Sequence, residues 1–155
     1  MLLLSVVATV LSVLKATDAT WSLVMADIET REISVSSVTC VSNLDLKALL
    51  PVVLVGVGAA CVQAAGDYSG TRRPIIHDML LEGATPDEIL DELEATHSNH
   101  QSMQYGILSL DVPLADATAT FTGRSTAAWA GGYTGIIVCV SPLSPSPLFA
   151  PSLTE

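Results

Sequence analysis

Two consecutive helices near the middle of the chain constrain its fold most, because runs typical of β-strands precede and follow them. Pro74–Glu82 (PIIHDMLLE) has apolar residues at helical spacing, and it is followed by Gly83, a common helix terminator. Thr85-Pro86-Asp87-Glu88 then supplies an N-cap threonine, a proline in the first turn and a glutamate three residues after the cap. This capping box predicts a second helix that ends at about Thr96.

Strands are predicted on both sides of the helix pair. The strand-like runs are Trp21–Ala26, Ile33–Cys40, Val52–Val57 and Ala59–Gln63 before it, and Gln104–Asp111 and Ala117–Thr122 after it. A polar hairpin loop joins the first two runs, and a short helix over Asn43–Leu50 ends before Pro51. Strands, then helices, then strands predict an α+β fold built in layers rather than a doubly wound sheet.

The second predicted strand carries small polar residues where a core strand would carry large apolar ones. Alternation places Ile33, Val35, Ser37 and Thr39 on one of its faces. Such a face suits a strand that lines a site.

The N-terminal segment predicts export. Leu2–Leu14 is an apolar run that is too short to span a membrane but typical of the hydrophobic region of a signal peptide. Thr17 and Ala19 supply a small-x-small cleavage site, so we expect cleavage after Ala19, no remaining membrane span, and a secreted or periplasmic protein. An uncleaved N-terminal extension is the alternative. The predicted organisation is a signal peptide (1–19), a folded domain (20–140) and a Pro/Ser-rich tail (141–155).

Charge and motif content argue against several partners. The chain has 16 acidic and 6 basic residues, and its net charge of −10 disfavours binding to nucleic acid. Gly56-Val57-Gly58 lacks the third glycine and the helix of a dinucleotide-binding fingerprint. His97 and His100 have metal-ligand spacing, but they lie in a polar linker that is predicted to be a solvated turn. We therefore expect no metal and no cofactor.

The cysteine content does not determine whether the chain contains a disulfide. The chain has three, Cys40, Cys61 and Cys139, and an odd number in an exported protein leaves at least one outside an intramolecular disulfide. Cys40 and Cys61 could pair if their strands are neighbours, but buried thiols are the favoured interpretation.

Several segments together resemble domain-of-unknown-function family 1028. They are TWSLVMAD, SSVTC, NLDLKALLPVVLVGVGAACVQA, HQSMQYGILSLD, ATATFTG and WAGG, in that order between Thr20 and Gly135. The resemblance implies a four-layer αββα sandwich similar to that of the N-terminal nucleophile (Ntn) hydrolases. Family members continue with further strands and helices where this chain has its proline-rich tail. The sandwich is therefore expected to be incomplete, the chain to come from a truncated or frameshifted gene, and pairing into a homo-oligomer to be favoured.

The resemblance directs attention to Thr20. Ntn hydrolases use the side chain of the first residue as nucleophile and its α-amine as general base, so cleavage after Ala19 would create both groups at Thr20. We predict Thr20 as the catalytic residue. The residues expected to line its site are Ser36, Ser37, Thr39, Gln63, Thr122 and Gly123. The predicted activity is hydrolysis of a small amide or peptide. A non-catalytic, envelope-associated binding domain and a non-functional gene fragment are the alternatives, and in both of them Thr20 is an ordinary strand residue.

Overall fold

The structure of the protein is a computed structural model, which describes residues 20–126 and 130–135. The predicted signal peptide, the predicted tail and Cys139 lie outside the described residues.

The first two strands form a separate hairpin, as predicted. Strand β1 (Thr20–Ala26) pairs antiparallel with β2 (Ile33–Thr39), so that Thr20 lies opposite Thr39. The loop is fixed by Asp27, whose carboxylate accepts the backbone N–H groups of Glu29 and Thr30 at 2.8 and 2.9 Å. This local Asx-type turn makes the strands reverse direction at the predicted place.

The remaining four strands form one antiparallel sheet. In spatial order they are β3 (Pro51–Leu54), β4 (Gly58–Ala64), β5 (Met103–Ser109) and β6 (Thr118–Thr122). The Gly56-Val57-Gly58 segment forms the tight turn between β3 and β4, with Gly56 at a φ of +72°. The predicted strands are thus confirmed, and their boundaries differ from the predicted ones by at most three residues.

Three α-helices accompany the sheets within the described residues. Helix α1 covers only Leu46–Leu49, because Asn43 has a φ of +58° and Asp45 is the N-cap. Helices α2 (Arg72–Leu81) and α3 (Pro86–Thr96) are the predicted pair. The capping box of α3 is present, with the Thr85 side chain accepting from Glu88 N and the Glu88 carboxylate accepting from Thr85 N.

Helices α2 and α3 cover one face of the four-stranded sheet. The main core forms there, between Ile76, Leu80, Ile89 and Leu93 of the helices and Val62, Met103, Tyr105 and Ile107 of the strands. The hairpin packs on the opposite face, where β1 contacts β4 and β5 and β2 contacts β3 and β4. The described residues therefore form three layers, in the order helices, four-stranded sheet, hairpin, which confirms an α+β fold.

The fourth layer of the expected αββα sandwich is not seen within residues 20–126 and 130–135. The outer face of the hairpin is exposed there, with Leu23 at 52% and Val38 at 64% of their full accessibility. No helix in this part of the chain is both long enough and apolar enough to cross a bilayer.

The predicted solvated turn at His97–His100 is wrong for its last residue. His100 begins a 3-10 turn (His100–Ser102) and is only 3% exposed. Its ring lies 4.0 Å from that of Phe121 and 5.4 Å from that of Tyr105, measured between centroids. The histidine is buried because β5 and β6 present two aromatic rings at the end of α3, and an imidazole can pack against them.

Candidate functional site

Eight uncharged polar side chains meet between the hairpin and the four-stranded sheet, at the end of the hairpin farthest from its turn. We call this group the inter-sheet polar cluster. Its members are Thr20 and Ser22 on β1, Ser37 and Thr39 on β2, Cys61 and Gln63 on β4, Gln104 on β5 and Thr122 on β6. Strand alternation places them all on the inward faces of the two sheets.

Hydroxyl pairs cross the hairpin on its inner face. Thr20 Oγ1 lies 2.9 Å from Thr39 Oγ1, and Ser22 Oγ lies 2.9 Å from Ser37 Oγ. Each pair occupies directly opposite positions in the β1–β2 register. The Thr39 hydroxyl also accepts the backbone N–H of Val41 at 3.2 Å.

Two glutamines and a threonine form the matching row on the four-stranded sheet. Gln63, Gln104 and Thr122 are neighbours in the register of β4, β5 and β6. Gln63 Nε2 donates to Gln104 Oε1, and Gln104 Nε2 donates to Thr122 Oγ1, both at 3.3 Å. Gln63 also joins the two sheets, because its Oε1 accepts from Ser22 Oγ at 2.7 Å and its Nε2 donates to the Thr20 carbonyl at 3.3 Å.

The direction of the hydrogen bonds follows from the single hydrogen of each hydroxyl. Ser22 gives its hydrogen to Gln63, so the bond between Ser22 and Ser37 must be donated by Ser37. The thiol of Cys61, 3.8 Å from Ser37 Oγ, must then be the donor to Ser37. Burial is the largest effect on the Cys61 thiol, and it raises the pKa of that thiol. The thiol therefore stays protonated at neutral pH, as this donor role requires.

The structure brings five of the seven predicted site residues together: Thr20, Ser37, Thr39, Gln63 and Thr122. Ser36 lies on the opposite, exposed face of β2. Gly123 lies just after β6, where a Cβ atom would stand 2.2 Å from the carbonyl oxygen of Gln101, so its evident role is close packing of two backbone segments.

Sequence reasoning missed Ser22, Cys61 and Gln104. Ser22 could have been found from its alternation with Thr20 along β1. Cys61 and Gln104 could be assigned to the site only once the pairing of β4 with β5 was known. That pairing places Gln104 opposite Gln63. Met103, the residue before Gln104, faces the helices and is fully buried in the core, so it does not belong to the cluster.

A second polar group lies on the helix side of the sheet and has a structural role. The Asp67 carboxylate accepts the backbone N–H groups of Arg72 and Arg73 and forms ion pairs with both side chains. Arg72 also donates to the Tyr105 hydroxyl at 3.1 Å and to Asn99 Oδ1. Burial acts to raise the pKa of Asp67, but the N–H donors outweigh it and the pKa is lowered. The group ties the start of α2 to β5.

An open groove of about 510 Å³ lies between β3 and α2 and does not include the cluster. Its lining includes Arg73, whose guanidinium is already bound to Asp67 and to the Ala48 carbonyl, and the exposed His77–Asp78 pair. Across the described ranges, no three His, Cys, Asp or Glu side chains are close enough to hold a metal ion. The inter-sheet polar cluster is therefore the better candidate site.

These features define the class of the protein: an α+β fold in which a β-hairpin packs on a four-stranded antiparallel sheet that is backed by two helices. Residues 20–141 match the family of unknown function DUF1028, so the chain belongs to that family and the predicted resemblance is confirmed.

A protein of Silicibacter pomeroyi from the same family has a similar crystal structure. The TM-score is 0.60 and the sequence identity is 19%, over 72% of this chain and 46% of that one. At this identity the likeness shows the fold alone, and the present chain spans less than half the length of that relative. No curated protein matches this sequence.

Proposed function

We propose that the protein is an Ntn-type hydrolase of small amides or peptides, with Thr20 as its nucleophile after removal of residues 1–19 from an exported precursor. The observation that carries this proposal is the position of the Thr20 side chain. Thr20 is the first residue of β1, and its side chain points inward, into the inter-sheet polar cluster. The match to the family also begins at Thr20, which supports this residue as the start of the working domain.

The proton transfers that form the ester use only the hydroxyl and the α-amine of Thr20 itself. The Thr20 α-amine, with an ordinary pKa of about 7.7–8.0, takes the hydroxyl proton while Oγ1 attacks the amide carbonyl carbon. The amine then delivers this proton to the departing nitrogen as the C–N bond breaks, which leaves an ester on Thr20. A water molecule cleaves the ester, giving the acid and restoring the hydroxyl. The hydrogen bond to the Thr39 hydroxyl, 2.9 Å away, holds Oγ1 in place.

The first test is the intact mass and N-terminal sequence of the exported protein. We expect a chain that begins at Thr20. That protein is then assayed against a panel of small amides, beside Thr20→Ala and Thr20→Ser variants processed at the same bond. Loss of the nucleophile should reduce turnover by at least about 100-fold, whereas serine should retain part of it.

Two controls make this test specific. Ser36→Ala changes a hydroxyl on the exposed face of β2 and should leave turnover unchanged. A chain that keeps Ala19 in front of Thr20 should be inactive, because its nitrogen is then an amide without basicity. An exported protein that still starts at Met1, or a Thr20→Ala variant as active as the wild type, would refute the proposal.

A further inference from the structure

An open space lies beside the inter-sheet polar cluster, above Gly106. This residue follows Gln104 by two positions on the same face of β5, between Cys61 on β4 and Thr120 on β6. A Cβ atom built on Gly106 would meet no atom of residues 20–126 and 130–135 within 4 Å, and the backbone there does not have the positive φ that would require glycine. Gly58 on the neighbouring strand differs, since a Cβ atom there would lie 2.5 Å from the Leu108 carbonyl oxygen. Gly106 therefore leaves room that the packing of the strands does not need.

Gln104 offers a hydrogen-bond donor two residues from Gly106 on the same face of β5. Its side-chain nitrogen carries two hydrogens, and Thr122 is its one acceptor among the described residues. Its oxygen is occupied by Gln63, which fixes the orientation of the amide and leaves the nitrogen as the group that can bind a ligand. The same Gln63 also donates to the Thr20 carbonyl, so one side chain contacts both Gln104 and the residue proposed as the nucleophile.

The chemistry of the cluster selects an uncharged ligand. All eight side chains of the cluster are uncharged at neutral pH, including the protonated thiol of Cys61. A carboxylate bound there would lose its hydration without gaining a cationic side chain, which is unfavourable above the pKa of the Thr20 α-amine, while an amide would lose much less. The net charge of −10 acts in the same direction.

We infer that the space above Gly106 is the acyl-binding part of the Thr20 site, and that Gln104 Nε2 donates a hydrogen bond to the carbonyl oxygen of a small uncharged amide bound there. The inference rests on the proposed function only in identifying the bound amide with the one that Thr20 attacks. A short acyl group fits, because the space corresponds to one missing side chain in the sheet.

The test uses a matched pair of ligands, propionamide and propionate, added to the ¹⁵N-labelled exported protein. The side-chain NH₂ signals of Gln63, Gln101 and Gln104 report on three positions at once, and Gln101 lies outside the cluster. Propionamide should shift the Gln104 signals in a saturable way, and propionate should bind at least tenfold more weakly. Equal affinity for the two ligands, or shifts that include Gln101 but not Gln104, would overturn the inference.

Variants that separate binding from folding complete the test. Gly106→Val should fill the space, keep the unfolding midpoint of the wild type and weaken propionamide binding at least tenfold. Gln104→Leu should weaken binding similarly, while Gln101→Leu should not. A folded Gly106→Val protein that binds propionamide normally would overturn the inference, even if Gln104→Leu weakened binding.

The two proposals can fail separately. If propionamide binding depends on Gly106 and Gln104 but no amide is hydrolysed, the binding site stands and the hydrolase proposal falls. If amides are hydrolysed with an unchanged KM in Gly106→Val, the hydrolase stands and this inference falls.

Discussion

Replacement of Asp67 by asparagine should lower the free energy of unfolding by about 3 kcal/mol, because a buried arginine would lose its counter-ion. The Asp67 side chain is fully buried and that of Arg72 is 4% exposed. The carboxylate accepts the backbone N–H groups of Arg72 and Arg73 at 3.3 and 3.1 Å and the Arg72 guanidinium at 3.4 Å. Removal of one partner from a buried pair costs roughly 3–5 kcal/mol, and asparagine keeps one acceptor oxygen, so we expect the lower end of that range.

Urea unfolding of the purified protein measures this loss, which corresponds to a fall in Tm of about 10 °C. The matched control is Asp111→Asn, which also removes an Asp–Arg pair, in this case with Arg31 at 2.5 Å. That pair is 43% and 41% exposed, so its loss should cost less than about 1 kcal/mol. Equal losses in the two variants would refute the argument that burial sets the size of the effect.

The pH dependence of Asp67→Asn has a definite sign. The pKa of Asp67 is lowered in the folded protein, so the ionised carboxylate stabilises the fold above its ordinary pKa. This contribution is lost as the pH falls below about 4 and passes through the lowered pKa. The difference in stability between the wild type and the variant should therefore shrink in that range.

Three further changes test individual packing and capping contacts. Gly58→Ala should lower the free energy of unfolding by roughly 1–3 kcal/mol, measured by urea unfolding, because the new methyl group would lie 2.5 Å from the Leu108 carbonyl oxygen. Thr85→Ala should cost about 1 kcal/mol in the same assay, whereas Thr71→Ala should cost less, since the Thr71 side chain makes no capping bond to α2. Burial lowers the pKa of His100. The free energy of unfolding of the wild type should therefore decrease as the pH falls below about 6.5, by up to ~1.4 kcal/mol per pH unit. A pH series of unfolding curves should show no such decrease for His100→Phe.

Local sequence signals were sufficient for most of the fold. The capping box fixed the start of α3 at Pro86, and alternation along Ile33–Thr39 assigned the inner face of β2. The start of α2 was harder to predict. It begins at Arg72, two residues before the predicted Pro74, because the Asp67 carboxylate receives the first N–H groups of the helix. A buried acceptor five residues upstream leaves no periodic signal in the sequence.

The candidate site was only partly predictable, because it depends on which strands are neighbours. Ser22 and Gln63 are separated by 41 residues, as are Gln63 and Gln104, yet hydrogen bonds join each pair. The alternation of residues along β2 predicted which of its faces carries the hydroxyl groups. No pattern in the sequence predicted which residues of β4 and β5 lie against that face. The burial of His100 was missed for the same reason, since Phe121 and Tyr105 reach it from two separate strands.

The two ends of the hairpin cover the same sheet with different chemistry. At the turn end, the inner face consists of Val24, Ala26, Ile33 and Val35. Apolar side chains of this kind hold two packed sheets together, and they show that these strands do not need polar residues to do so. Polar residues in such an interface stabilise it no better than apolar ones of similar size. Departures from the apolar rule are expected at functional positions, so the hydroxyl and amide groups at the other end are better explained by chemistry than by packing.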